Sequence, residues 1–135
     1  MSKTFESRQV SVAIERSPDD VYRYTSNLET WTRWAHGLGT SVRKLGDAWI
    51  AEGGTLGEVK IRLAAPNTLR VLDHDVTLPN GQTVHNSFRV IPNGEGSEVV
   101  FAVFRQPGVT DKAFAEDYGA VEKDLRKLKS ILESQ

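Results

Sequence analysis

Cysteine is absent from this chain of 135 residues, which excludes disulfide bonds, thiolate metal sites and a cysteine nucleophile. No apolar run in it approaches the roughly 20 residues that a membrane-spanning helix needs. The formal net charge is only −1, so neither a nucleic acid nor an anionic membrane is expected as a partner. Residues 1–8 lack the apolar segment of a secretory signal, and we therefore expect a cytoplasmic protein.

The composition is that of an ordinary globular protein. Apolar residues make up 39% of the chain and charged residues 26%. The length is close to the commonest domain size, and no repeat or low-complexity linker divides the sequence. We predict one domain covering residues 1–135.

The first structural signal is a strand that stops at a capped helix. Apolar and polar residues alternate over 10–14, as in a strand with one buried face. Ser17 is a favourable N-cap and Pro18 suits the first helical position. Asp19 and Asp20 complement the positive end of the helix dipole. A second short helical stretch with two tryptophans is predicted after this helix.

Strands and a long helix fill the rest of the chain. Strands are predicted over 40–45, 47–52 and 55–64, followed by two further hairpins. A C-terminal helix over 111–132, roughly 33 Å long, is indicated by an apolar stripe at steps of three and four residues. The stripe consists of Phe114, Tyr118, Val121, Leu125, Leu128 and Leu132. A helix striped on one side is expected to lie across the sheet.

The register of the first of these hairpins decides which polar residues face inward. With Asn80-Gly81 as a two-residue loop, Asp75 pairs with Asn86 and Asp73 with Phe88. The face so formed carries Leu69, Val71, Asp73, Asp75, Val84, Asn86, Phe88 and Val90, and the opposite face carries Leu72, His74, Val76 and His85. The next loop, 93–96, pairs Val90 with Val99 and Phe88 with Phe101, which makes the first face the inward one.

The order of these elements resembles the START-like superfamily, also called SRPBCC or Bet v 1-like, with its helix-grip fold. The matching segments are VAIERSPDDVY at 12–22, WTRW at 31–34 and GSEVVF at 96–101. The chain looks closest to small bacterial members labelled polyketide cyclase/dehydrase-like. The resemblance implies an α+β fold of about six or seven antiparallel strands curved around the C-terminal helix, with two short helices after the first strand and an apolar cavity.

The leading functional hypothesis is binding of a small apolar ligand in that cavity. Lipids, quinones and polyketides are the ligand classes that the resemblance implies, and no metal, nucleotide or other cofactor is expected. The resemblance also places the loop after the second short helix at the cavity entrance. The predicted pocket residues are Trp34, His36, Val59, Ile61, Val71, Phe88, Phe101, Phe114, Tyr118 and Val121.

The second hypothesis is a cyclase- or dehydratase-type enzyme that uses Asp73, Asp75 and Asn86. Close carboxyls in an apolar cavity have displaced pKa values, so one carboxylate could act as base while the amide polarises a carbonyl. The alternative is that these residues lie at the cavity mouth and meet water. His74 and His85 fall on the opposite face and are read as a solvated or interface pair rather than a metal site.

A third hypothesis is a protein-interaction module of the chaperone-activator type, as the resemblance also allows. On the predicted register an apolar patch lies on the convex face of the sheet and suggests a homodimer. The patch consists of Val76, Val100, Ala102 and Phe104.

Overall fold

The computed structural model describes residues 4–135 as one antiparallel sheet with helices packed on it. The sheet has seven strands in the order β1-β7-β6-β5-β4-β3-β2. The elements are β1 Ser7–Ile14, α1 Pro18–Thr25, a 3-10 helix Leu28–Arg33, β2 Gly39–Leu45, β3 Ala48–Gly53, β4 Val59–Leu63, β5 His74–Thr77, β6 Thr83–Asn93, β7 Gly96–Phe104 and α2 Asp111–Glu133. The predicted α+β helix-grip architecture is confirmed.

The boundary between β1 and α1 is built as the sequence indicates. Ser17 Oγ accepts the N–H of Asp20 at 3.2 Å, and Pro18 occupies the first helical position. Arg16 bonds Asp20 and also donates from Nη1 to the Leu132 carbonyl at 2.7 Å. These contacts fix the start of α1 against the end of α2.

Helix α2 lies across one side of the sheet, mainly on β1 and to a smaller extent on β7. Thr110 caps its N-terminus through a 3.1 Å bond from the Ala113 N–H. The second half of its apolar stripe is fully buried, whereas Tyr118 and Val121 in the first half are only partly buried. The helix therefore seals one end of the sheet more tightly than the other.

The hairpin between β5 and β6 differs from the prediction by one residue. His74 pairs with Asn86 and Asp75 with His85. The Gly81 N–H donates to the Leu78 carbonyl, and the Leu78 N–H donates to the Gln82 carbonyl. The loop thus has three residues, Pro79 to Gly81, with Gly81 at φ +90°.

This slip exchanges the two faces of the β5 segment, because successive strand residues point to opposite sides. Leu72, His74 and Val76 lie inside and are 1%, 4% and 5% exposed. The predicted inward positions of Asp73 and Asp75 are wrong. Val76 is likewise absent from the convex face, so the predicted dimer patch loses one of its members. The β6–β7 register, with Phe88 opposite Phe101 and Val90 opposite Val99, is confirmed.

Candidate functional site

An aromatic cluster fills the middle of the concave side of the sheet. The ring centroid of His74 lies 4.9 Å from that of Trp31 and 5.8 Å from that of Phe101. Phe88 contacts all three rings, and Trp34 contacts Trp31 and Phe88. The 3-10 helix and the strands β5, β6 and β7 thus meet around one buried histidine.

The protonation of His74 follows from its surroundings. Its Nδ1 lies 3.0 Å from the Leu72 carbonyl, which can only accept, so Nδ1 carries the proton. Burial lowers the pKa of His74 to about 4, against the opposing effect of the Leu72 bond. The ring is therefore neutral near pH 7, and its Nε2 presents a lone pair. The nearest polar atom to that lone pair is Asn86 Nδ2, at 3.4 Å.

The core between the sheet and the first half of α2 is incompletely buried. Phe101 and Asn86 belong to the concave face but remain partly exposed, although they lie on central strands. Tyr118 and Val121 on α2 are also partly exposed and pack against the same core. We name the space bordered by Asn86, Phe101, Tyr118 and Val121 the concave recess. It combines an aromatic lining with the polar pair of His74 and Asn86.

The loop after the 3-10 helix is fastened to α2. The His36 N–H donates to Asp124 Oδ1 at 3.2 Å, and the His36 side chain is exposed. Burial raises the pKa of Asp124, while the bond from His36 opposes that effect. This contact joins the predicted entrance loop to the helix that borders the concave recess.

Most of the predicted pocket residues lie in one core with the aromatic cluster. Trp34, Val59, Ile61, Phe88 and Phe114 are buried there, and Phe101, Tyr118 and Val121 pack against it. The placement of Val71 on the inner face is wrong. Its backbone forms an isolated antiparallel β-bridge with Arg89, and Val71 therefore lies on the same, outer face as Arg89. The Val71 N–H donates to Asn67 Oδ1 at 3.0 Å.

The predicted catalytic carboxylates face away from the recess. Asp73 Oδ1 accepts the Phe88 N–H at 2.8 Å, and Oδ2 accepts from Arg89 Nη2 at 3.0 Å. Although burial raises the pKa of Asp73, the Arg89 guanidinium and the Phe88 N–H outweigh it and lower the pKa. Asp75 Oδ1 lies 2.6 Å from Nδ1 of the exposed His85. Only Asn86 of the three proposed catalytic residues lies on the concave side.

Asp73 is expected to matter for stability. We expect Asp73→Ala to cost about 1–3 kcal/mol in free energy of unfolding, because it leaves the Phe88 N–H without its acceptor. Asp75→Ala is the matched control and should cost less, since exposed ion pairs contribute under about 1 kcal/mol. Urea denaturation at pH 7 measures both. Equal losses would contradict the assigned role of Asp73.

Three buried polar atoms have no hydrogen-bond partner within residues 4–135: Trp34 Nε1, the Tyr24 hydroxyl and Thr25 Oγ1. In contrast, Trp31 Nε1 donates to the Thr25 carbonyl at 2.7 Å. The Trp34 N–H is thus an unused donor at the edge of the aromatic cluster. An unpaired buried donor costs stability, which makes this side of the cluster its less stable part.

Two surface grooves lie away from the concave recess. One, of about 620 Å³, runs along the end of β1 and the β6–β7 turn, and its lining includes Arg16 and Glu95. The other, of about 290 Å³, lies beside α1 and the C-terminal Gln135. Both are open, and three of their charged lining residues, Arg16, Asp20 and Arg23, are engaged in ion pairs with one another.

Residues 4–135 contain no group of three or more histidine and acidic side chains placed to hold a metal ion. His74 lies on the concave face of the sheet and His85 on the opposite face. The prediction that the two histidines form a pair on one face is therefore wrong. No helix in this part of the chain is long and apolar enough to cross a membrane.

Comparison with known proteins gives a family match and several similar folds. The family model described as polyketide cyclase/dehydrase and lipid transport matches residues 7–133. An uncharacterised protein from Bacillus thuringiensis is similar with a TM-score of 0.74 and 16% identity, over 94% of this chain and 98% of that one. No curated protein sequence matches this chain.

Two further solved structures are similar in fold. Ara h 8.0201 has a TM-score of 0.72 and 13% identity, over 96% of this chain and 99% of its own. The ZhuI aromatase/cyclase from Streptomyces sp. R1128 has a TM-score of 0.71 and 15% identity, over 96% of this chain and 94% of its own. At such identities the likeness concerns the fold.

Proposed function

The chain belongs to the family described as polyketide cyclase/dehydrase and lipid transport, and on this premise we propose that it binds a small, largely apolar molecule in the concave recess. The observation that carries the proposal is the partial exposure of Phe101. This ring lies on the inner face of β7 between Val10 and Phe88, which are buried on the neighbouring strands, so a closed core would bury it as well. Exposed aromatic surface inside a concave site is typical of ligand pockets.

The surroundings of Phe101 support the same proposal. Val121 and Tyr118 of α2 pack against the same core, and the ring centroid of the buried Phe88 lies 5.2 Å from that of Phe101. The polar groups nearby are the Asn86 amide, the neutral His74 and the unpaired Trp34 N–H, and the Arg8 guanidinium lies 4.4 Å from the centroid of the Tyr118 ring. An apolar surface with few polar groups suits a hydrophobic ligand with one polar end.

Native mass spectrometry of freshly purified protein tests the proposal directly. A bound molecule should appear as an added mass that organic solvent removes and that is hydrophobic on chromatography. Delipidated protein should then recover the added mass when incubated with the extract. Protein that neither carries a ligand nor binds the extract would contradict the proposal.

A charge placed in the recess should abolish binding. Val121→Arg puts a guanidinium at a partly buried position of α2 that packs against the core, and we expect at least about a tenfold loss of ligand affinity, because the charge must stay hydrated where the ligand lies. Ala120→Arg is the matched control, since the neighbouring position on α2 is exposed. Circular dichroism should show unchanged folding for both. Equal affinity of the two variants would place the ligand elsewhere.

The structure gives less support to the other hypotheses. The enzyme hypothesis needed Asp73 and Asp75 beside Asn86 in the cavity, and we do not propose a catalytic role for carboxylates that face the other side. The interaction-module hypothesis has no observation that favours it over ligand binding. A homodimer and a cytoplasmic location stay predictions.

A further inference from the structure

The polar end of the concave recess consists of hydrogen bonds in series. The Leu72 carbonyl accepts from His74 Nδ1 at 3.0 Å, which leaves His74 Nε2 with a lone pair. Asn86 Nδ2 lies 3.4 Å from that lone pair. The backbone just before β5 therefore determines, through a buried histidine, which group of the Asn86 side chain faces His74.

The orientation of the Asn86 amide follows from this series. An amide presents a carbonyl on one side and an NH₂ group on the other. The carbonyl placed against Nε2 would set two lone pairs against each other, so the NH₂ group must take that side. Within residues 4–135 Asn86 Oδ1 has no hydrogen-bond partner, and the Asn86 side chain is partly exposed on the concave face. The carbonyl oxygen Oδ1, an acceptor without a partner, is thus left for a ligand on the side of the amide that faces away from His74.

From this arrangement we infer that the site selects a neutral ligand with a hydroxyl group that donates to Asn86 Oδ1, and that His74 is the positioning residue for this selection. The inference rests on the proposed function and adds the class of ligand. Alcohols and phenols with an aromatic or alicyclic body fit, whereas ethers of the same shape leave the acceptor unpaired. His74 acts through Asn86, without a charge of its own.

The aromatic cluster makes the selection effective. The rings of Trp31, Phe88 and Phe101 surround His74 and shield it from water, and a ligand that covers the partly exposed Asn86 removes water from the amide as well. A hydrogen bond in such surroundings loses little to competition from water, and an unpaired acceptor there costs free energy when a ligand covers it. The difference in affinity between two ligands of similar shape therefore depends on whether the ligand carries a hydroxyl group that donates to Asn86 Oδ1.

Three probes of matched shape test the inference: naphthalene, 2-naphthol and 2-methoxynaphthalene. Equilibrium dialysis with chromatographic quantification gives their dissociation constants. We expect 2-naphthol to bind about two- to tenfold more tightly than 2-methoxynaphthalene, the ratio that one neutral hydrogen bond supplies. A ratio of one, with both probes bound, would overturn the inference and leave the proposed function standing. No binding of any probe would count against both.

Variants then test whether the ratio of the two dissociation constants depends on Asn86 and His74. Asn86→Leu should reduce it to about one, and this partly exposed position tolerates the change. His74→Phe should also reduce it, because the amide is then free to turn. A merely structural histidine would lower the affinity for both probes equally and leave their ratio unchanged. His85→Phe, on the exposed face of the same sheet, should keep the wild-type ratio. A preference for 2-naphthol that persists in Asn86→Leu would overturn the inference.

Discussion

His74→Phe is expected to remove most of the loss of stability that the protein suffers on acidification from pH 6.5 to pH 4. In the unfolded chain a histidine takes up a proton near pH 6.5, whereas in the folded protein burial lowers the pKa of His74 to about 4. Between these values the unfolded state binds more protons, so stability is full above pH 6.5 and falls as the pH approaches 4. This difference in pKa between the unfolded and the folded state corresponds to about 3 kcal/mol of unfolding free energy.

Urea denaturation followed by tryptophan fluorescence at pH 7, 6, 5 and 4 measures this effect. The quantity to compare is the change in unfolding free energy with pH, since His74→Phe also alters the packing at every pH. Proton NMR titration of the His74 ring in the wild-type protein needs no variant, and a pKa near 6.5 would contradict the burial argument.

The elements of the fold were predictable because their signals are local. Ser17 and Pro18 define the start of α1, and the spacing from Phe114 to Leu132 defines one face of α2. The register of β6 on β7 followed from apolar residues that alternate on both strands. The family match over residues 7–133 confirms the START-like resemblance that these segments indicated.

The predicted inward face of β5 is wrong, although two features of the sequence indicate the correct face. Pro79 suits the first inner position of a turn with a three-residue loop, which shifts the pairing by one. Leu72 and Val76 also flank His74 at a spacing of two, so the inner face of that strand is the more apolar one. The Asn80-Gly81 pair, in contrast, indicates a two-residue loop and therefore the register that the structure does not have.

The polar centre of the site depends on tertiary structure. The contact of Asn86 with His74 needs the correct register and the curvature of the sheet. The partial exposure of Phe101 depends on how far the first half of α2 lies from the sheet, which no local pattern fixes. Sequence reasoning therefore identified the walls of the recess more reliably than its hydrogen-bonding groups.

Trp31→Ala is expected to cost about 3–5 kcal/mol in unfolding free energy, a large part of the stability of a domain of this size. Trp31 is 1% exposed, contacts the rings of Trp34, His74 and Phe88, and donates its indole N–H to the Thr25 carbonyl at 2.7 Å. Its removal leaves a cavity at the place where the 3-10 helix meets β5 and β6, and it leaves a buried carbonyl unpaired.

Two other tryptophan variants separate the contributions to that loss. Trp31→Phe keeps a ring in the cluster and removes the bond to Thr25, so it should cost less than Trp31→Ala. Trp49→Ala deletes an indole that is only partly buried beside Lys44 and should also cost less. Urea denaturation followed by circular dichroism measures all three without relying on indole fluorescence. A loss for Trp31→Ala no larger than that for Trp49→Ala would mean that the 3-10 helix is held to the sheet by other contacts, and that the aromatic cluster is not the structural centre of the recess.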